Sequence, residues 1–155
     1  MDISRRGAEA MVRTAVVHTS NAARARTYKQ NSRIKGEQWV SVLDHRTSPI
    51  CRGRDGTIYP VGEGPRPPAH IACRSTMIPV TQGNRAAVEA RPTYNDWLTT
   101  QPESVQDDIL GPTRGQLFRE GNYTVDRFVD QSGQEYTLDQ LRQRDSDTFS
   151  ELFGD

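Results

Sequence analysis

The first thirty residues contain no proline, and all nine prolines of the chain fall from Pro49 onward. A proline inside a helix removes a backbone donor and clashes with the preceding turn, so its absence leaves this stretch open to one continuous helix. Ala, Arg, Glu, Met and Val dominate residues 2–30, and all are tolerated or favoured in helices. Ile3, Ala10, Val12, Val16 and Val17 recur at loosely helical spacing. The pattern predicts a long amphipathic helix ending within "KQNSRIKGE", where Asn31, Ser32 and Gly36 supply stop signals.

Three short β-favouring runs follow: "QWVSVLD", "GTIYPVG" and "RSTMIPV". All three carry β-branched or aromatic residues, and the last two are bounded by Gly or Pro. Between the last two lies "GEGPRPPAH", a loop too dense in Gly and Pro to extend a helix or a ladder. After Val80 the polar stretch "TQGNRAAVEARPT" predicts a linker over 81–92. Beyond it, helical signals return. Thr100 with Glu103, Thr113 with Gln116, and Thr137 with Gln140 all have capping-box spacing, and Gly111 marks a helix end. Trp97, Leu98, Leu117, Phe118, Phe128, Val129 and Leu141 are expected to be packing contacts of these helices. The final "SDTFSELFGD" predicts a frayed end or a short docking helix. The fold class expected is α+β: a long N-terminal helix packed on a small, mostly antiparallel sheet over 1–80, then a helical tail over 93–155.

Charge is segregated along the chain. Residues 1–80 carry 13 Lys/Arg against 6 Asp/Glu, and residues 81–155 carry 7 against 14, although the total is neutral. A basic first half can face nucleic acid or an acidic protein surface, or it can simply be a solvated face. The candidate cations are Arg5, Arg6, Arg13, Arg24, Arg26, Lys29, Arg33 and Lys35, and an electrostatic contact through them would weaken steeply with salt. No apolar run approaches the roughly 18 residues of a membrane span. "MDISRRGAEAMVRTAVVHTS" has no uninterrupted apolar core of a secretory signal, so folding is expected in a reducing cytoplasm. There, two cysteines would remain thiols.

Those two cysteines, Cys51 and Cys73, stand near His70 and Asp44 at the ends of the predicted strands. A hairpin joining "QWVSVLD" to the later runs would gather them. Thiolate and imidazole are the ligands zinc prefers, and a structural zinc site needs four closed positions. Cys51, His70 and Cys73 supply three, with Asp44 or His45 as a fourth. The alternatives are that both cysteines are small buried hydrophobes while His70 bonds its loop, or that they form a disulfide. The rival from another class is a metal-dependent nuclease or other hydrolase using Asp44, Cys51, His70 and Cys73, with Arg46 or Arg74 on a phosphate. Against it, the sequence shows no second acid/base pair. "GEGPRPP" lacks the Lys and helix of a phosphate loop, and a Cys51–His70 nucleophile has no recognisable oxyanion hole. No catalytic residue is assigned.

The same residues carry a resemblance. "WVSVLDHRTSPICRGRDGTIYPVGEGPRPPAHIACRSTMIPV" resembles the C-terminal signature of the phage Mu protein F-like minor head proteins, a phage head morphogenesis family. That pattern runs W-x-x-x-x-D-x-R-T-C-x-x-C, a D-G dipeptide, P-P-x-H-x-x-C-R-C and a closing Pro. It is met here by Trp39, Asp44, Arg46, Thr47, Cys51, Asp55, Gly56, Pro67, Pro68, His70, Cys73, Arg74 and Pro79. The approach through Arg13, Thr14 and "NAARARTYKQ" and the tail "YNDWLTTQPESVQDDILGPTRGQLFREGNYTVDRFVD" are also similar to members. Two positions depart: Ser48 and Ser75 stand where the fuller pattern has cysteine, which excludes a four-thiolate site. The chain is also shorter than typical members, which carry more sequence before the first helix.

The resemblance implies a structural virion protein of a tailed bacteriophage, assembled in the host cytoplasm, with portal or capsid proteins and viral DNA as candidate partners. Its expected role is head morphogenesis and DNA packaging or delivery. Trp39, Asp44, Arg46, Thr47, Cys51, His70, Cys73 and Arg74 would then form a structural cluster, with zinc the candidate metal at Cys51, His70, Cys73 and Asp44. Arg13, Arg24, Arg26, Lys29 and Arg33 would be the contact to portal or nucleic acid.

Overall fold

The computed structural model describes residues 4–154, so Ile3 lies outside the described residues. The chain divides into two units, one of residues 1–42 and 54–91, the other of residues 43–53 and 92–155. Each is built by its own logic. Residues 43–53 cluster with the helical tail, and the stretch 81–92 carries a helix of its own.

In the first unit, α1 spans Arg5–Gln30, with Ser4 accepting from the Gly7 amide at its start and the Asn31 amide closing on Tyr28 at its end. The helix is as long as expected, and of the expected apolar stripe Ala10 and Val17 are partly buried on its inward side while Val12 and Val16 are not. Val12 and Val16 are exposed, and the one fully buried side chain of α1 is Asn21. Asn21 earns its burial by hydrogen bonding: its Nδ2 donates to the Val17 carbonyl, and its Oδ1 accepts from the Met77 amide and the Thr76 hydroxyl. Further along, Arg24 donates to Thr76 Oγ1 at 2.5 Å, and Thr14 Oγ1 accepts the Ala72 amide at 2.8 Å. Polar side chains thus fasten this helix to its unit, and an apolar periodicity could not reveal them.

The sheet is antiparallel with β1 (Ile34–Val40) at its centre, between β2 (Ile58–Pro60) and β3 (Thr76–Thr81). β1 begins before the expected "QWVSVLD" and ends at Val40, because Gly36, Glu37, Gln38 and Trp39 are all buried. A central strand covered on both faces loses the in-out alternation that marks a half-exposed one. Its polar residues are satisfied: Gln38 Nε2 donates to the Gly56 and Val88 carbonyls. Glu37 receives both terminal nitrogens of Arg66 and the Gly62 amide. Pro79 is tolerated in β3 because that strand pairs on one side only. A short helix, α3 (Arg85–Glu89), buries Val88 behind β3.

The second unit opens with α2 (Pro49–Arg54), whose first residues lie in the segment 43–53. It continues with α4 (Tyr94–Thr99), α5 (Glu103–Leu110), α6 (Pro112–Glu120), a 3-10 turn over Val125–Phe128, α7 (Leu138–Arg144) and α8 (Ser146–Phe153). Their apolar faces meet in one core that includes Tyr94, Leu98, Leu110, Leu117, Phe128, Leu141 and Phe149, with Trp97 partly buried against it. The terminal segment is therefore a packed helix, not a frayed end.

One of the three expected capping boxes forms. Thr137 and Gln140 cap α7 reciprocally. Thr100 instead donates its hydroxyl to the Trp97 carbonyl behind it, and α5 starts from Pro102. Thr113 lies inside α6, which starts from Gly111 with Pro112 in its first turn. A proline marks both starts: Pro112 lies in the first turn of α6, where it needs no amide partner, and Pro102 occupies the N-cap position of α5. A further box, Thr93 with Asp96 on α4, lacks the Glu or Gln that the search pattern requires. Thr137→Ala is accordingly expected to cost about 1 kcal/mol of stability, against less than about 0.5 for Thr113→Ala. Denaturant midpoints of the two variants compare them directly.

Asp145 joins the last two helices. It caps α8 at Thr148 and accepts from Tyr123 Oη and Arg127. The Thr148 contact first, then Tyr123 and Arg127, hold its carboxyl below the usual carboxylate range. A carboxyl depressed in the folded state contributes stability above its unfolded value near 4, and that stability is lost as pH falls through the folded value. The fall in thermal midpoint below about pH 4 should therefore be smaller in Asp145→Asn, which keeps a capping side chain but not the charge.

Candidate functional site

Within the first unit the cluster is organised around Trp39. Its side chain is fully buried, with Nε1 donating to Ser41 Oγ at 2.9 Å. Ser41 Oγ in turn lies 3.1 Å from Ser75 Oγ, also buried. Ser75, at a position where the fuller signature has cysteine, thus continues a relay of neutral hydrogen bonds from the indole. The Asp55–Gly56 dipeptide holds the other side. The Asp55 side chain is completely buried, accepting from the Ser41 amide at 2.6 Å and from Arg91 at 2.8 Å. Gly56 turns at φ +84°, a conformation for which glycine carries no Cβ penalty, and its amide bonds the Trp39 carbonyl. The Arg54 guanidinium lies 5.3 Å from the Trp39 ring centroid, a cation–π distance.

The loop before β3 carries the ligand-type residues. His70 is exposed and its Nδ1 lies 2.9 Å from the Ile71 carbonyl. A carbonyl oxygen only accepts, so Nδ1 is the donor of this bond. Cys73 is buried, follows in a turn closed onto the His70 carbonyl, and its Sγ lies within 4.8 Å of a His70 ring nitrogen. Between them Ala72 has φ +59°, held there by the Thr14 bond to its amide. Arg74 is exposed.

Asp44, Arg46, Thr47 and Cys51 belong to the second unit. Asp44 Oδ1 accepts from the Arg46 amide and the Thr47 hydroxyl, and the Asp44 carbonyl accepts from the Thr47 amide and Tyr94 Oη. The carboxylate that was expected as a fourth metal ligand is therefore engaged in its own turn. Arg46 is exposed and Thr47 buried. Cys51 is buried on α2, its amide bonded to the Ser48 carbonyl. Neither Cys51 nor Cys73 is in a disulfide.

Of three charged residues at the heart of these frames, Asp55 was named in the signature, while Glu37 and Arg52 were not singled out from sequence. Glu37 and Asp55 are the buried carboxylates of the first unit. Arg52, in the second, donates to the Ile109 carbonyl and pairs with Glu135. Burial pulls its basicity down, with Tyr94 and Glu135 opposing. The signal for Asp55 was present in the D-G dipeptide. For Glu37 and Arg52 there was none, because a charged residue in a short run reads as surface. The proposed contact residues Arg13, Arg24, Arg26, Lys29 and Arg33 are all exposed, four on α1 and one just beyond it.

No helix of the described residues is long and apolar enough to cross a membrane. No curated protein and no solved structure matches the chain. A family model does: that of the phage Mu protein F like proteins, over residues 1–78. The match runs through α1, β1, β2 and the His70–Cys73 loop into β3, so it takes in the Trp39 relay, the Asp55–Gly56 turn and both cysteines. The chain belongs to the phage Mu protein F-like family.

Proposed function

We propose that the protein is a minor structural component of a tailed-phage head, meeting portal or capsid proteins during assembly and acting in DNA packaging or delivery. Family membership points to head morphogenesis, to contact with other head proteins and to the virion, in a structural role rather than a catalytic one. The observation that carries the proposal is the family match across the signature residues. Its physical support is that many of these residues are spent on the fold. Trp39, Asp55 and Gly56 close one frame by hydrogen bonds, and Asp44 and Thr47 close another. The test is the protein content of purified heads: detection of the chain at a fixed, low copy number supports the reading, and its absence from infectious particles would refute it.

A metal is the second part of the proposal. In the signature, Cys51, His70 and Cys73 offer two sulfurs and one imidazole nitrogen, a donor set that suits zinc. The fourth position would fall to water or to an oxygen of Asp44. Bound zinc would act as a structural fastener. Protein purified without chelator is expected to carry one zinc per chain, lost in Cys73→Ser and in His70→Ala. Metal-free protein whose thermal midpoint ignores added zinc and chelator would remove the metal and leave the hydrogen-bonded frames.

A further inference from the structure

Of the five exposed large apolar side chains among the described residues of the first unit, Val42 is the least exposed at 38%, and the other four are Met11 (60%), Val12 (63%) and Val16 (58%) on α1 and Ile71 (74%) in the loop before β3. They are not scattered. At about 100° per residue, Ala8, Met11, Val12, Ala15, Val16 and Ala22 fall within an arc of about 140° on the outer side of the helix. The inward side is that of Thr14, Asn21 and Tyr28. Ala8, Ala15 and Ala22 recur at a seven-residue interval with Met11 and Val12 between them, the spacing by which one helix seats the side chains of another. Beside the stripe, Met11, Thr14, Ala15, His18, Pro68 and Ile71 line a hollow of ≈ 370 Å³, room for large side chains from a partner.

Charge says what kind of partner. From Arg5 to Gln30 the helix has six Arg or Lys and one acidic residue, Glu9. Arg5 and Arg26 lie in the same arc as the stripe, at its two ends, about 32 Å apart at 1.5 Å per residue. A second copy of α1 laid along the stripe would bring no acidic group to Arg26, since Glu9, the one carboxylate of the helix, already pairs with Arg5 at 3.2 Å. A nucleic-acid duplex would answer the cations but would leave the apolar centre without a matching surface. We infer that this face of α1, with Ile71, is the docking seat for a helix of another protein that is apolar along its centre and acidic toward both ends. The inference deepens the reading of the chain as a head-assembly protein and rests on it only for the setting in which the partner is met.

The test is calorimetric titration of the full chain with two synthetic helical peptides that share one leucine stripe and carry either Glu or Lys at every flanking position. The Glu peptide is expected to bind at least tenfold more tightly, and the double variant Met11→Gln/Val16→Gln to weaken it at least tenfold. Both substituted residues are exposed, so the thermal midpoint should be unchanged, which separates lost docking from lost folding. Equal affinity for the two peptides, or indifference to the double variant, overturns the inference. Self-association of the chain that the double variant abolishes would give the face to a second copy, and tighter binding of a DNA duplex that the double variant weakens would give it to nucleic acid; either overturns it. A chain absent from heads that still selects the Glu peptide would sink the head reading and leave this one standing.

Discussion

Arg66→Ala is expected to destabilise the first unit by about 3–5 kcal/mol, the cost of leaving a buried carboxylate without its partner. Glu37 has no exposed side-chain surface, and three donors satisfy it: two guanidinium nitrogens of Arg66 and the Gly62 amide. Removing Arg66 takes away two of the three and the compensating charge together. The paired replacement Glu37→Leu/Arg66→Met removes both charges and should recover most of the loss, since a buried ion pair replaced by apolar residues of similar volume is often neutral or better. Denaturant unfolding of the three proteins separates the cases. A single variant within about 1 kcal/mol of the parent would mean that water already reaches Glu37.

Trp39→Ala should cost a similar amount, about 3–5 kcal/mol, through the cavity left by a large buried aromatic. The loss has a second part. Ser41 and Ser75 are both buried, and the indole Nε1–H is the donor that orients their two hydroxyls. Without it one hydroxyl has a partner fewer in a place that water does not readily enter. Trp39→Phe isolates this part, because it keeps most of the ring volume and deletes the donor; its cost should be about 1–3 kcal/mol. Thermal midpoints of the two variants rank the terms, and a Phe variant as damaging as the Ala variant would make the relay, not the volume, the dominant contribution.

These two predictions bear on residues that the sequence treated unequally. Trp39 stood out as an aromatic in a β-favouring run and as the first residue of the family signature. Glu37 did not, because it fell in "KQNSRIKGE", where Gly36 read as a helix stop, just ahead of the strand expected from Gln38. Burial on both faces removed the alternation by which a strand is recognised, and only the three-dimensional partners explain why three polar or small residues sit at the centre of a sheet. The long helix was legible in outline, from composition and the missing prolines. Its inner face was legible only in part: Ala10 and Val17 are partly buried there, but Asn21, Thr14 and Arg24 hold it by hydrogen bonds, and Val12 and Val16 are exposed.

In the tail, the helices were legible where a Thr and a Gln close a box around an ordinary start, as at Thr137. Their caps, not the helices, were misread where Pro102 and Pro112 take over the start and make a side-chain cap unnecessary. The site shows the same division. Cysteine, histidine and the D-G dipeptide announce themselves by rarity and spacing, whereas Arg52 and Arg91 matter through partners 57 and 36 residues away. No local pattern encodes such pairings.

The central claim is that this chain builds heads. The most direct measurement is the yield and DNA content of particles made by a phage in which its reading frame is interrupted, with the chain supplied in trans as the control. The account predicts few DNA-filled, infectious heads without the chain and recovery when it is supplied. Normal yields of filled, infectious heads in its absence would contradict it.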